Sequence, residues 1–148
     1  MLQKHFKLEQ VLKYRTEIER VRIQEFFSSR QNWECAADQL EAEEKLLKML
    51  VAEFRDRQQE FETIDDLQLY ARFFTRKKDD VKRGKQEVAD LASVMDENRE
   101  ILLDATKDKK ALELLKEKKA LEFRTAMGQK EQLFMDEISV QKKRPVES

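Results

Sequence analysis

Proline and glycine are nearly missing from this chain, which has one Pro and two Gly in 148 residues. Turn-rich and strand-rich domains need both at their corners, so this shortage of chain breakers excludes them and leaves long helices. Cysteine is reduced to Cys35. One thiol forms no internal disulfide and no cysteine metal cluster, which suits a reducing compartment; beside Ala36 and Ala37 it reads as a small packing residue. His5 is the only histidine, near the N-terminus and without a Cys or carboxylate cluster around it, so neither a metal site nor a nucleophile–base pair is expected. Gly84 and Gly128 are isolated, which removes glycine-rich phosphate loops. Inside a helix Gly84 costs ~1 kcal/mol relative to Ala and marks a bend or a close packing contact. The expectation is therefore a protein with no catalytic residues, no metal and no cofactor.

Long apolar runs are also absent. Nothing approaches the ~18 residues that a membrane span needs, and residues 1–12 lack the continuous apolar core of a signal peptide, so a cytoplasmic protein without direct membrane insertion is expected. Neither sign of charge dominates: 30 basic and 31 acidic residues give a net charge of -1. No global field draws the chain to nucleic acid or anionic lipid, and no nucleic-acid partner is expected; binding of either kind would have to be local.

What the chain does have is 41% charged and 40% hydrophobic residues, with nine Phe and five Met. A disordered chain is the alternative reading of such charge, but it would carry more Pro, Gly and Ser and fewer of these large apolar side chains. In the first half, Phe26, Trp33, Leu40, Leu47, Phe54 and Phe61 recur every seven residues, the mark of a helix seam. The partner positions are filled less well: Ile23, Ala37, Leu50 and Val51 are apolar, Arg30, Glu44 and Gln58 polar. A second column reads Leu67, Phe74, Val81, Val88, Met95 and Leu102. Beyond it the apolar face drifts to Ala105, Leu112 and Leu115 and resumes as Ala120, Met127 and Phe134, with Ile138 one turn on.

Between the columns, Glu62 to Gln68 gathers residues that prefer helix caps, and Asp65 with Gln68 three residues later resembles a capping box. The pattern predicts an all-α fold, a single antiparallel coiled-coil hairpin. Helix one spans about 4–62, the turn about 63–66 and helix two about 66–142, roughly 85 Å and 115 Å at 1.5 Å per residue, followed by a disordered tail at 143–148 around Pro145. Phe54 should lie near Phe74, Leu47 near Val81, and Trp33 within about a turn of Met95. Residue 4 should come opposite about residue 125, so 127–141 should project as a C-terminal helical overhang. A hairpin of this kind is expected to be a monomer.

Two basic runs stand out. Arg76, Lys77, Lys78, Lys82, Arg83 and Lys85, interrupted by Asp79 and Asp80, come level with the acidic Asp38, Glu41, Glu43 and Glu44, and are expected to form a solvated face with interhelical pairing. Lys107, Lys109, Lys110, Lys116, Lys118 and Lys119 have no aromatic interleaving and are expected to be solvated too. Off-seam aromatics carry more information. Phe27, Phe73 and Phe123 each share a column with charged residues, and Leu69, Tyr70, Phe73 and Phe74 crowd the turn end beyond what a two-helix seam buries. That cluster is a candidate partner site, and Phe73 should be exposed where Phe74 is buried.

Phe6-x-Leu8-x-x-Val11-Leu12-x-x-Arg15, then Tyr70-x-x-Phe73-Phe74, then Leu112-Glu113-Leu114-Leu115-Lys116-Glu117-Lys118-Lys119, and finally Met135-Asp136-Glu137-Ile138 together resemble the flagellar export protein FliJ family. The similarity covers nearly the whole chain. It implies an antiparallel coiled coil similar to the rotor stalk of rotary ATPases, acting in flagellum biogenesis and chemotaxis as a component of the type III protein export apparatus. It further implies three partners, namely the hexameric export ATPase whose ring it helps assemble, the export gate in the membrane, and export chaperones, with peripheral association to the inner membrane. By the rotor analogy Leu69, Tyr70 and Phe73 would meet the gate, and Phe123, Met127, Phe134 and Ile138 would meet the ATPase or a chaperone. The sequence departs from the expected pattern at Lys77, where an apolar residue one turn after Phe73 would be expected. The equivalent stalk of a virulence-type secretion system, and a generic structural coiled coil that self-associates, are the other classes this sequence fits.

Overall fold

The computed structural model describes residues 6–60 and 63–143. These form two helices, α1 (Glu9–Arg57) and α2 (Ile64–Lys143), which pack against each other as an antiparallel hairpin. The chain enters α1 through a turn in which the Glu9 amide donates to the Phe6 carbonyl at 3.1 Å. It leaves at Arg57, whose carbonyl accepts from the Glu60 amide at 2.9 Å. The predicted starts at residue 4 and end at 62, the seam residue Phe61, and His5 and the tail from 144 onward fall outside the described residues.

The turn comes earlier than expected. Its cap is Thr63, whose hydroxyl accepts from the Asp66 amide at 3.4 Å, and not Asp65, which already lies in the first turn of α2. A cap side chain must reach the amide three residues ahead, and a threonine just outside the helix satisfies that while an aspartate already within the first turn contributes only its charge near the helix N-terminus.

The hairpin consists of two compact units, Arg20–Leu103, which contains the turn, and Met1–Glu19 with Asp104–Ser148. In the turn-bearing unit, the half-buried or buried positions of α2, Asp80 and Ala92 apart, fall into two heptad columns. One is the expected Phe74, Val81, Val88, Met95 and Leu102, while Leu67 is exposed; the other is Tyr70, Lys77, Gly84, Leu91 and Asn98. On α1 the first column is likewise as expected from Phe26 to Phe54, but its partner column is Arg22, Ser29, Ala36, Glu43 and Leu50. The predicted set at Ile23, Ala37 and Val51 sits one residue off, as a half-buried flank. Cys35 is exposed and Ala36 takes the seam position assigned to it.

The register follows from contacts. Phe54 packs on Tyr70 at 5.7 Å between ring centroids and edge-on to Phe74 at 5.9 Å, Lys77 Nζ lies 3.5 Å from Glu43, and the Arg99 guanidinium sits 5.9 Å from the Phe26 ring centroid. A Cβ at Gly84 would come 3.1 Å from Leu40 Cδ1, so the glycine serves close packing, with Leu40 seated over it. The pair Leu40–Gly84 sets Leu47 level with Lys77, four residues short of the expected Val81, and Trp33 level with Leu91, within about a turn of Met95 as expected; Phe54 also meets the expected Phe74. Antiparallel helices place the first column of one against the second column of the other, whereas the expected pairing matches first with first.

In the second unit the columns continue through Leu12, Glu19 and Arg15 on α1, and through Ala105, Lys109 and Leu112 on α2, with Leu12 and Ala105 buried. Lys109 and Lys116 are therefore not part of a free solvated face. Lys109 donates to Glu19 at 3.1 Å, Lys116 pairs with Glu9 at 2.9 Å, and Arg15 pairs with Asp108 at 3.5 Å. The hydrogen bond from Lys109 to Glu19 holds the ammonium above the ordinary 10.5, against the desolvation that lowers it. In both units the seam is thin: among the described residues only Leu12, Ser29, Ala36, Val81 and Ala105 are buried, and the Ser29 hydroxyl is satisfied by the Phe26 carbonyl at 2.7 Å.

Three outcomes follow for stability. Val81→Asp should cost at least about 2 kcal/mol, through lost apolar burial and a charge with no partner in the seam, and a thermal melt followed by helical circular dichroism reads it. Gly84→Leu should destabilise by about 1–3 kcal/mol by driving Leu40 off the helix, whereas Gly84→Ala should stay within about 1 kcal/mol because its helix propensity offsets the crowding. A Lys109 value raised on folding adds stability that is complete below about pH 10.5 and lost as pH rises through the folded value, so the difference between wild type and Glu19→Gln should be flat near neutrality and shrink in strong alkali.

Candidate functional site

Near the turn, the sequence of α2 places two side chains outward and two inward. Leu69 is 68% exposed and Phe73 42% exposed, while Phe74 is half-buried against Phe54. Tyr70, expected on the same outward surface, turns into the seam: its ring packs on Phe54 and its hydroxyl lies 3.5 Å from Glu53 Oε1, which accepts the hydrogen bond. The tyrosine is four residues before Phe74, one helical turn, and so shares its face.

Lys77 explains its departure from an apolar pattern. Its side chain is only 17% exposed, pairs with Glu43 at 3.5 Å and Asp80 at 3.8 Å, and lies 5.8 Å from the Phe73 ring centroid. The Glu43 Oε2 atom is closed to solvent and has no hydrogen bond, so the lysine ammonium is what neutralises it. Of the basic run, Lys77 is the member paired across the hairpin; Arg83 pairs along α2 with Asp80.

Sequence reasoning misses three exposed apolar residues near this end, Leu46, Met49 and Ile64. Met49 and Ile64 lie in columns with no second large apolar residue nearby, so periodicity carries no signal for them. Phe27, an off-seam aromatic of α1, is exposed and meets the seam residue Phe26 edge-on at 5.6 Å.

Along the last part of α2, Phe123, Met127 and Ile138 are half-buried and Phe134 is 62% exposed. Phe123 shares its column with Lys109 and Lys116, which face α1, so it continues the seam face and not a charged outer face as its neighbours suggest. Phe123 and Phe134, like Met127 and Ile138, are eleven residues apart, a spacing that keeps them on one side of a straight helix. Leu133, Met135 and Val140 are also exposed here, and the sequence pattern does not single them out.

Among the described residues no group of three or more His, Cys, Asp or Glu side chains is placed to hold a metal ion, and no helix is long and apolar enough to cross a membrane. The side chains that stand out are apolar ones left facing solvent on a charged two-helix hairpin. The chain belongs to the family described as Flagellar FliJ protein, whose model matches residues 3–144. That family is one of structural adaptors rather than enzymes, and membership makes the chain a component of the flagellar export apparatus. No curated protein and no solved structure matches it.

Phe73→Ala should lower stability by less than about 1 kcal/mol, the worth of its contact with the Lys77 ammonium. Phe74→Ala should cost about 2–3 kcal/mol, the low end for a phenylalanine because the site is only half-buried. Urea midpoints of the two variants decide this, and the reverse order would shift the phase of α2 by one residue.

Proposed function

We propose that this protein is the stalk-like adaptor of the flagellar protein export apparatus, a cytoplasmic monomer that promotes ring assembly by the export ATPase, links that ring to the export gate and handles export chaperones. The observation that carries the proposal is the family match over residues 3–144 of a chain folded as two helices. It favours the flagellar system over a virulence-type stalk, because the family described is the flagellar one.

The division of labour follows the two exposed surfaces. Leu69 and Phe73 contact the gate, and that contact holds the protein at the inner membrane; Phe123, Met127, Phe134 and Ile138 dock on the ATPase or a chaperone. Both surfaces belong to α2, which supports a linking role. A short apolar stripe of this kind gains its full order when a partner covers it.

Co-purification of the full chain with the export ATPase, with ring assembly as the readout, tests the proposal. Wild type should co-purify and raise the fraction of rings, and a chain ending at Ala126 should keep its helical signal up to the loss of its last turns while binding the ATPase and chaperones more weakly. Undiminished binding by the shortened chain would remove the assignment of that surface, and no co-purification of wild type would remove the function.

A further inference from the structure

The first turns of α2 hold a set of cations that the adaptor role does not use, beside Leu69 and Phe73, which it does. Residues 72–85 carry seven basic side chains and two acidic ones in a chain whose net charge is -1. The sequence suggests that these cations pair across the hairpin, but Lys77 is taken by Glu43, and Arg83 is paired along its own helix with Asp80. Arg72, Arg76 and Lys82 are exposed and make no ion pair among the described residues. With Arg83, Thr75 and Asp79 they line a shallow depression on the outer side of α2. Asp79 is the carboxylate left inside it, and four cations surround it.

Apolar groups adjoin these cations. Leu69, Arg72, Phe73 and Arg76 follow an i, i+3, i+4, i+7 spacing, which sets them side by side on one helix face, and Arg83 lies one heptad beyond Arg76. From α1, Leu46 precedes the seam residue Leu47 as Phe73 precedes Phe74. In an antiparallel pair those two positions fall on the same flank. The exposed Met49, level with Thr75 in the observed register, lies on that flank too.

We infer that this flank of the turn-bearing unit is a docking surface for an anionic phospholipid bilayer. Arginine guanidinium groups pair with phosphate oxygens through two parallel hydrogen bonds, and uncharged neighbours of the size of leucine, methionine and phenylalanine enter the boundary between headgroups and acyl chains. A cluster of four to eight basic residues on such a surface is what attracts anionic lipid, each adding about 1 kcal/mol within a Debye length. Duplex nucleic acid would use the cations but leave the apolar side chains in water, whereas an anionic bilayer is complementary to both sets.

Flotation of the full-length protein with vesicles tests the inference, and no protein partner is present, so its outcome is independent of any contact with the export gate. Wild type should float with vesicles of equal parts phosphatidylcholine and phosphatidylglycerol and remain unbound with phosphatidylcholine alone. High salt should release it, as screening predicts. Arg72→Gln with Arg76→Gln should weaken vesicle binding by about tenfold or more with an unchanged thermal melt, given the per-charge attraction above. Lys107→Gln with Lys110→Gln, two exposed cations of the other unit, should leave it unchanged. The inference is overturned if wild type ignores anionic vesicles, binds neutral ones equally, binds duplex DNA but no vesicle, or loses binding as much through Lys107 and Lys110 as through Arg72 and Arg76.

Discussion

Every other property of this chain depends on a seam only two columns wide. Neither helix would hold together in water alone, since most helical stability in proteins comes from packing an apolar face, and among the described residues no large side chain is wholly enclosed. The seating of Leu40 over Gly84 and of Phe54 between Tyr70 and Phe74 fixes the register. Charged layers then tolerate only that register: Glu43 with Lys77 in one unit, and Glu19 with Lys109 in the other. Slipping by one heptad would leave the enclosed Glu43 oxygen facing hydrocarbon. A seam this narrow also leaves the remaining faces of both helices free, and Leu69, Phe73, Phe134 and the surface assigned to lipid lie there, whereas Phe123 continues the seam face.

Much of this seam is legible in the amino-acid order alone. The spacing of Phe74, Val81, Val88, Met95 and Leu102 names one column of α2, and that of Phe26 to Phe54 one column of α1, because large apolar residues recurring at seven leave no other phase. The matching columns are not legible in the same way. They contain Arg22, Ser29, Glu43, Lys77, Gly84 and Asn98, residues that a hydrophobicity pattern rejects and that fit only because of what lies opposite. Such a pattern selects Ile23 and Val51 in their place for being apolar, although one residue along a helix is a rotation of about 100°. The turn is misplaced for a related reason: Asp65 and Thr63 both suit a cap, and the choice between them rests on where the helix ends.

The exposed surfaces divide similarly. Phe27 and Phe73 are recognisable as apolar residues in charged company, and both are exposed. Tyr70 is not separable from them by pattern, since its ring goes inward for a partner, Phe54, that lies on the other helix and is reached only through the turn. Ile64 and Met49 belong to no pattern at all. The unpaired state of Arg72 and Arg76 is also invisible in one dimension, where they look like members of a run that Glu43 and its neighbours would neutralise.

The position of the turn has a consequence for the order in which the hairpin assembles. Tyr70 and Glu53 are 17 residues apart in sequence, whereas Lys109 and Glu19 are 90 apart and Arg15 and Asp108 are 93 apart. Closing a longer loop costs more chain entropy, and each layer formed shortens the loop that the next must close. Folding therefore zips outward from Thr63, so that the Phe54 layer and the basic flank beside it exist before Lys109 and Arg15 meet their partners.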